Sequence, residues 1–158
     1  MANRPNKVIV HHSAAKNPTP QFEAINQWHK DRGFPISVLG FYVGYHYVIE
    51  KSGDLRTARY EWEEGAHTVG QNSQSIGICL VGHFDIELPT AQQAATLGDM
   101  LASVCSRYNI DGNEIWAHRN FANKSCFGRL LSDDWARGVY YRHEIARLEV
   151  RLAALNIP

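Results

Sequence analysis

The sequence holds few of the features that would place it in a specialised class. Only three of its 158 residues are cysteine. So sparse and odd a set cannot form the dense cross-linked framework of small secreted domains. None is needed, because a chain of this length buries roughly 70% of the surface its unfolded form exposes. Excess charge is missing too: Lys and Arg together number 16, Asp and Glu together 16. That balance excludes nucleic acid as the main partner, since phosphate binding requires concentrated positive charge. No hydrophobic run approaches the ~20 residues of a membrane-spanning helix. The first one, Val8-Ile9-Val10, is also too short for a signal-peptide core. The chain is therefore expected to be made in the cytoplasm, with no signal peptide and no membrane span. Repeats and low-complexity tracts are likewise lacking, and a single domain over residues 1–158 is expected.

What is present is an alternation of strand and helix patterns. Residues 7–12 read as a short buried strand rich in β-branched side chains. Residues 17–20 form a turn, with Thr19 as helix cap and Pro20 at the first helical position. The helix that follows runs toward Arg32, shows Phe22, Ile25 and Trp28 on its apolar face, and is closed by Gly33. Residues 34–44 read as an irregular loop. Residues 44–50 and 55–60 form a hairpin around Lys51-Ser52-Gly53-Asp54. After a polar loop, residues 76–81 make a nearly continuous apolar strand, as in a sheet covered on both faces. Thr90 and Gln93 carry a capping-box signature. Ala94, Leu97, Leu101, Val104 and Tyr108 then recur at helical spacing toward a stop near Asp111-Gly112. Residues 115–118 read as a short strand. A last helix starts near residue 132, with Ile145, Leu148, Leu152 and Leu155 as its later stripe. The pattern predicts an α/β fold with a central mixed sheet flanked by helices.

On that map His11 closes the first strand, His118 closes the last, and Cys126 follows in a loop. Two histidines and a cysteine suit a catalytic zinc site whose fourth position is left to water. Strand ends are rigid and hold imidazoles at fixed distance. Lys124, two residues before the cysteine, is near enough to serve the bound thiolate or a substrate. Taken singly these residues are ordinary, because strand-end histidines and loop thiols are common.

Six stretches in order lend them weight: residues 8–14 (VIVHHSA), 27–30 (QWHK), 44–49 (GYHYVI), 65–67 (GAH) with Asn72, 75–82 (SIGICLVG), and 116–118 (WAH) through 124–126 (KSC). Together they resemble the zinc-dependent N-acetylmuramoyl-L-alanine amidases of phage lysozymes and peptidoglycan recognition proteins, and most of all the compact phage enzymes. The resemblance implies one Zn2+ held by His11, His118 and Cys126. It also implies catalytic roles for Tyr45 and Lys124, and a substrate-groove loop carrying His67 and Asn72. The implied partner is bacterial peptidoglycan, cut at the amide between the muramic acid lactyl group and L-alanine. The implied setting is a phage endolysin that reaches the wall after release, and a monomer is expected. Two other readings remain open at this stage: a recognition module without turnover, or an amidase of wall recycling. The chain departs from the family pattern at Phe127 and Asn123, where relatives often carry proline, and both changes are expected to loosen the loop.

The remaining polar and aromatic residues have plainer readings. His12 and His46 should turn away from the site by strand alternation. Cys79 and Cys105 read as small core hydrophobes. Trp28, Trp116 and Trp135 are expected in the core, whereas Trp62 is a candidate for stacking on a sugar. Glu61 and Glu64 are candidate bases or solvated surface. Arg137, Arg142, Arg147 and Arg151 give the last helix a basic face.

Overall fold

The computed structural model describes residues 2–16 and 20–155. Five strands form one mixed sheet: β1 (Lys7–His12), β2 (Tyr47–Ile49), β3 (Leu55–Thr57), β4 (Ser75–Leu80) and β5 (Ile115–Ala117). Their order is β3-β2-β4-β1-β5. All pairings are parallel except that of β2 with β3. The helices are α1 (Phe22–Asp31), α2 (Ala91–Tyr108) and α3 (Trp135–Leu155). This is the mixed sheet flanked by helices that the sequence predicts. None of the described helices is long and apolar enough to cross a membrane.

Strand alternation divides the sheet between two cores. Val8 and Val10 of β1 and Ile76, Ile78 and Leu80 of β4 pack against Leu97, Leu101 and Val104 of α2 and Ala136 and Val139 of α3. The opposite face, with Val48, Cys79 and Val81, packs against Phe22 and Ile25 of α1. Every residue of β4 is buried, as expected for a strand covered on both faces.

Several element ends differ from expectation. Thr19 lies outside the described residues, and Pro20 precedes α1 rather than heading it. Helix α1 is capped from a distance: the buried Glu50 carboxylate accepts hydrogen bonds from Gln21 N and Phe22 N. Its buried face is Phe22, Ile25 and His29, while Trp28 is largely exposed. His29 takes the core position because its Nδ1 accepts from Gly44 N at 3.0 Å and its ring stacks on Phe34. The hairpin strands are three residues each, because residues 44–46 turn to other partners. Gly44 approaches Ala66 so closely that a Cβ there would stand 2.2 Å from Ala66 O. The capping box at Thr90 and Gln93 is present. Helix α2 stops at Asn109 in the left-handed conformation, φ 53°, ahead of Asp111. Helix α3 begins three residues later than expected, after a turn in which Trp135 N bonds Ser132 O.

Candidate active site

The C-terminal ends of parallel strands are where open α/β sheets gather ligands, and β1 ends between β4 and β5. Alternation turns His12 toward α2, where its Nδ1 accepts from Phe84 N. His11 is thereby turned to the α1 side. His118 follows directly on β5, at the start of a 3-10 turn (His118–Asn120), and its ring lies 4.3 Å from that of His11. Cys126 arrives on the loop after that turn. Its Sγ lies 3.9 Å from His11 Nδ1 and accepts from His12 N at 3.4 Å.

The ligand atoms of His11, His118 and Cys126 all lie within 4.8 Å of one another. A tetrahedral ion with bonds of about 2.0–2.3 Å holds its ligand atoms about 3–4 Å apart, so this cluster fits a metal after a small contraction. The protonation chemistry fits as well. Burial lowers the pKa of His11 well below its usual value, with His67, His118, His12 and Lys124 adding to the effect. Burial, then Lys124, lowers that of His118 to about 4. Both imidazoles therefore keep free lone pairs at neutral pH. Burial pushes the Cys126 thiol up to about 11, so a cation bound here displaces its proton.

His67 stands behind His11 rather than simply edging a groove. Its Nδ1 lies 3.0 Å from His11 Nε2, leaving His11 Nδ1 to face Cys126. The room for this ring comes from two glycines, since a Cβ at Gly65 or Gly77 would lie 2.5 or 2.6 Å from its Cδ2 atom. Asn72 shapes the same loop: its Oδ1 accepts from both His67 N and Thr68 N.

Two adjoining clefts meet over the cluster. One, of about 500 Å3, is lined by His11, His118 and Cys126 with Arg32, Tyr45 and Lys124. The other, of about 430 Å3, is lined by Phe34, His67, Asn72 and Phe121, and shares His118 and Lys124 with the first. Tyr45 packs its ring 4.9 Å from that of His11. Burial, with the Cys79 and Cys126 thiols nearby, raises its phenol pKa well above the usual value. Tyr45 is thus a hydrogen-bond donor at neutral pH.

Other expectations divide. His46 is buried, with Nδ1 accepting from Gly77 N and Nε2 lying 3.0 Å from Glu63 O, so it is structural. Cys79 and Cys105 are buried as expected. Glu61 is held by the Tyr47 and Tyr108 hydroxyls and by Arg107, remote from the cluster. Glu64 lines a separate cleft with Trp62 and Asn72. Trp62 is exposed and stacked on Tyr60. Trp116 and Trp135 are half-buried at the edge of the core. Phe127 is fully buried, packs against Trp135, and carries the Arg119 guanidinium over its ring. Arg119 N also donates to Cys126 O.

Two participants escaped sequence reasoning. Arg32 enters the cleft from the end of α1. Asp85 anchors the loop bearing Lys124 and Cys126, accepting from Ser125 Oγ at 3.0 Å and from Arg129 N at 2.7 Å. Neither has a local sequence signal: Asp85 acts on residues 40 and 44 positions away, and Arg32 reaches the cleft only because α1 ends beside it.

The sequence profile of the N-acetylmuramoyl-L-alanine amidase family matches residues 1–129. The endolysin of Enterobacteria phage T3 is 34% identical over 137 residues, covering 82% of this chain and 85% of that protein. Among solved structures, the N-acetylmuramoyl-L-alanine amidase LysC from Clostridium intestinale URNW superposes with a TM-score of 0.74 at 30% identity, covering 86% and 85% of the two chains. Drosophila PGRP-LB superposes with a TM-score of 0.69 at 26% identity, covering 85% and 81%. The chain belongs to the N-acetylmuramoyl-L-alanine amidase family.

Proposed function

We propose that this chain is a zinc-dependent amidase that hydrolyses the bond between the lactyl group of N-acetylmuramic acid and L-alanine in peptidoglycan, acting as an endolysin on the cell wall. The observation that carries the reading is the His11–His118–Cys126 cluster, with ligand atoms within 4.8 Å of one another, at the meeting point of two clefts. Its mixed nitrogen and sulfur set, with three protein ligands, suits a catalytic zinc with one open position. Zinc held there supplies a Lewis acid and lowers the pKa of water toward about 7.

The protein's own groups divide the remaining work. The Lys124 ammonium, shared by both clefts, places positive charge where the amide oxygen gains negative charge. The Tyr45 phenol donates a hydrogen bond to the same developing oxyanion. His67 holds His11 in one tautomer and orientation, and Asn72 holds the backbone of His67. Water adds to the carbonyl carbon, the carbon–nitrogen bond breaks, and the L-alanine amine leaves with the proton that water gives up.

The test is release of soluble peptide from purified sacculi. Wild type is expected to release stems with a free L-alanine amino terminus. Chelation should stop release and added zinc should restore it, while Cys126→Ser should lose both bound zinc and activity. Sacculus binding without release, at full zinc occupancy, would sink the enzyme reading and leave a recognition module.

A further inference from the structure

Helix α3 carries an apolar stripe whose later part, from Ile145 to Leu155, nothing in the described chain covers. Its first half is seated on the body through Ala136, Val139 and His143, yet every residue from 145 to 155 is exposed. Tyr141, Ile145, Leu148, Leu152 and Leu155 are each 41–79% exposed. They follow one another at alternating steps of four and three, the heptad spacing of a coiled-coil seam, and Gly138 extends the series toward the N-terminus. At about 100° per residue the stripe lies roughly 160° around the helix from Ala136, Val139 and His143. Its N-terminal end touches the body, since Tyr141 lies against Gly112 and Arg137 donates to Ile115 O, but from Ile145 onward the stripe is open to a partner helix.

We propose that this stripe is a self-association surface on which α3 pairs antiparallel with α3 of a second copy, in place of the monomer expected from the sequence. The flanking charges select both partner and direction. One flank carries Arg137, Glu144 and Arg151, the other Arg142 and Glu149. In the antiparallel register Ile145 packs on the partner's Leu148, the exposed edge of Tyr141 meets the partner's Leu152, and the partner's Leu155 reaches Gly138 once the Arg142 guanidinium lying over it turns aside. That register sets Glu144 beside the partner's Arg151 and Arg142 beside the partner's Glu149, and the two-fold axis repeats both contacts. A parallel pair would instead oppose Glu144 to the partner's Glu149 on both sides of the seam. Like charges at such positions disfavour pairing. A lipid surface prefers flanks of one basic sign, whereas these flanks mix both. Glu144 also contacts Arg147 on its own helix at 2.9 Å; an exposed pair of this kind is weak and readily exchanged. Because α3 packs on the α2 side of the sheet, opposite His11, both clefts stay open in the dimer.

Sedimentation equilibrium of the full chain tests this. A monomer–dimer equilibrium in the micromolar range is expected. Leu148→Glu should leave only monomer with an unchanged circular-dichroism melt, because the side chain is exposed. Glu144→Arg with Glu149→Arg makes all four seam charges basic; Arg142→Glu with Arg151→Glu makes them all acidic. Each double variant alone should associate at least about tenfold more weakly, and an equimolar mixture should recover wild-type affinity. Leu155→Cys should not cross-link to itself, since the antiparallel register separates the two sites by about 25 Å. A monomer at hundreds of micromolar would overturn the proposal, as would a dimer indifferent to Leu148→Glu. Rapid cross-linking at position 155 would overturn the antiparallel pairing. A chain that stays monomeric yet binds phosphatidylglycerol vesicles through Leu148 would replace self-association with a membrane surface.

Discussion

A buried imidazole behind a metal-binding imidazole decides which of its nitrogens faces the metal. His67 is placed for that task, with Nδ1 3.0 Å from His11 Nε2. His67→Ala is therefore expected to weaken zinc affinity by about 10–100-fold, read by competition with a chromophoric chelator. Unchanged affinity with reduced turnover would instead make His67 a substrate contact. Gly77→Ala should act in the same direction, because its Cβ would stand 2.6 Å from the His67 ring. Tyr45 differs in kind. If its phenol donates to the oxyanion, Tyr45→Phe should lower kcat by about 10²–10³ while KM and bound zinc stay near wild type. A variant with full kcat would remove Tyr45 from the chemistry.

Among the elements, α1 and the Cys126 loop are both held by residues distant in sequence. Glu50 satisfies the first amides of α1 from the end of β2. Glu50→Ala leaves those buried donors unpaired, at a cost of about 1–3 kcal/mol. A chain of this size loses about 2–4 °C of Tm per kcal/mol, so a calorimetric melt should fall by several degrees. No shift would mean that water can cap the helix in place of Glu50. By contrast, α2 was legible at its start, because the Thr90 and Gln93 signal is local and both its hydrogen bonds form. The apolar phase of α1 misled at Trp28: a polar His29 with a backbone partner can outcompete a larger apolar ring for a buried position. Phe127 shows the same limit. Its replacement of proline reads as a loss, yet the fully buried ring anchors the loop from the core side.

The molecule as a whole buries several neutral histidines, and that sets its acid response. Burial lowers the pKa values of His29 and His46 to about 4 each, against about 6.5 when unfolded. Between those values the unfolded chain binds protons that the native chain excludes. These groups therefore contribute their full stability above about pH 6.5 and lose it as pH falls toward 4. In metal-free protein the melting temperature should fall steadily over that window, and less steeply in His46→Asn. Equal slopes for the two proteins would show that His46 titrates normally in the native state.

The chain by itself determined its α/β pattern of a sheet flanked by helices and, through six ordered stretches, the residues that meet at the cluster. Hydrophobic period, caps and a short list of His, Cys, Tyr and Lys are local properties that survive in one dimension. Only the tertiary structure decided how those residues serve one another. The parallel pairing of β1 with β5 brings His11 and His118 together across more than a hundred residues. The two glycines that admit His67, the Asp85 clamp on the loop, and the unshared stripe of α3 depend likewise on contacts between distant segments. Such contacts leave no periodicity to read, because loops and packing set them rather than the repeat of helix or strand.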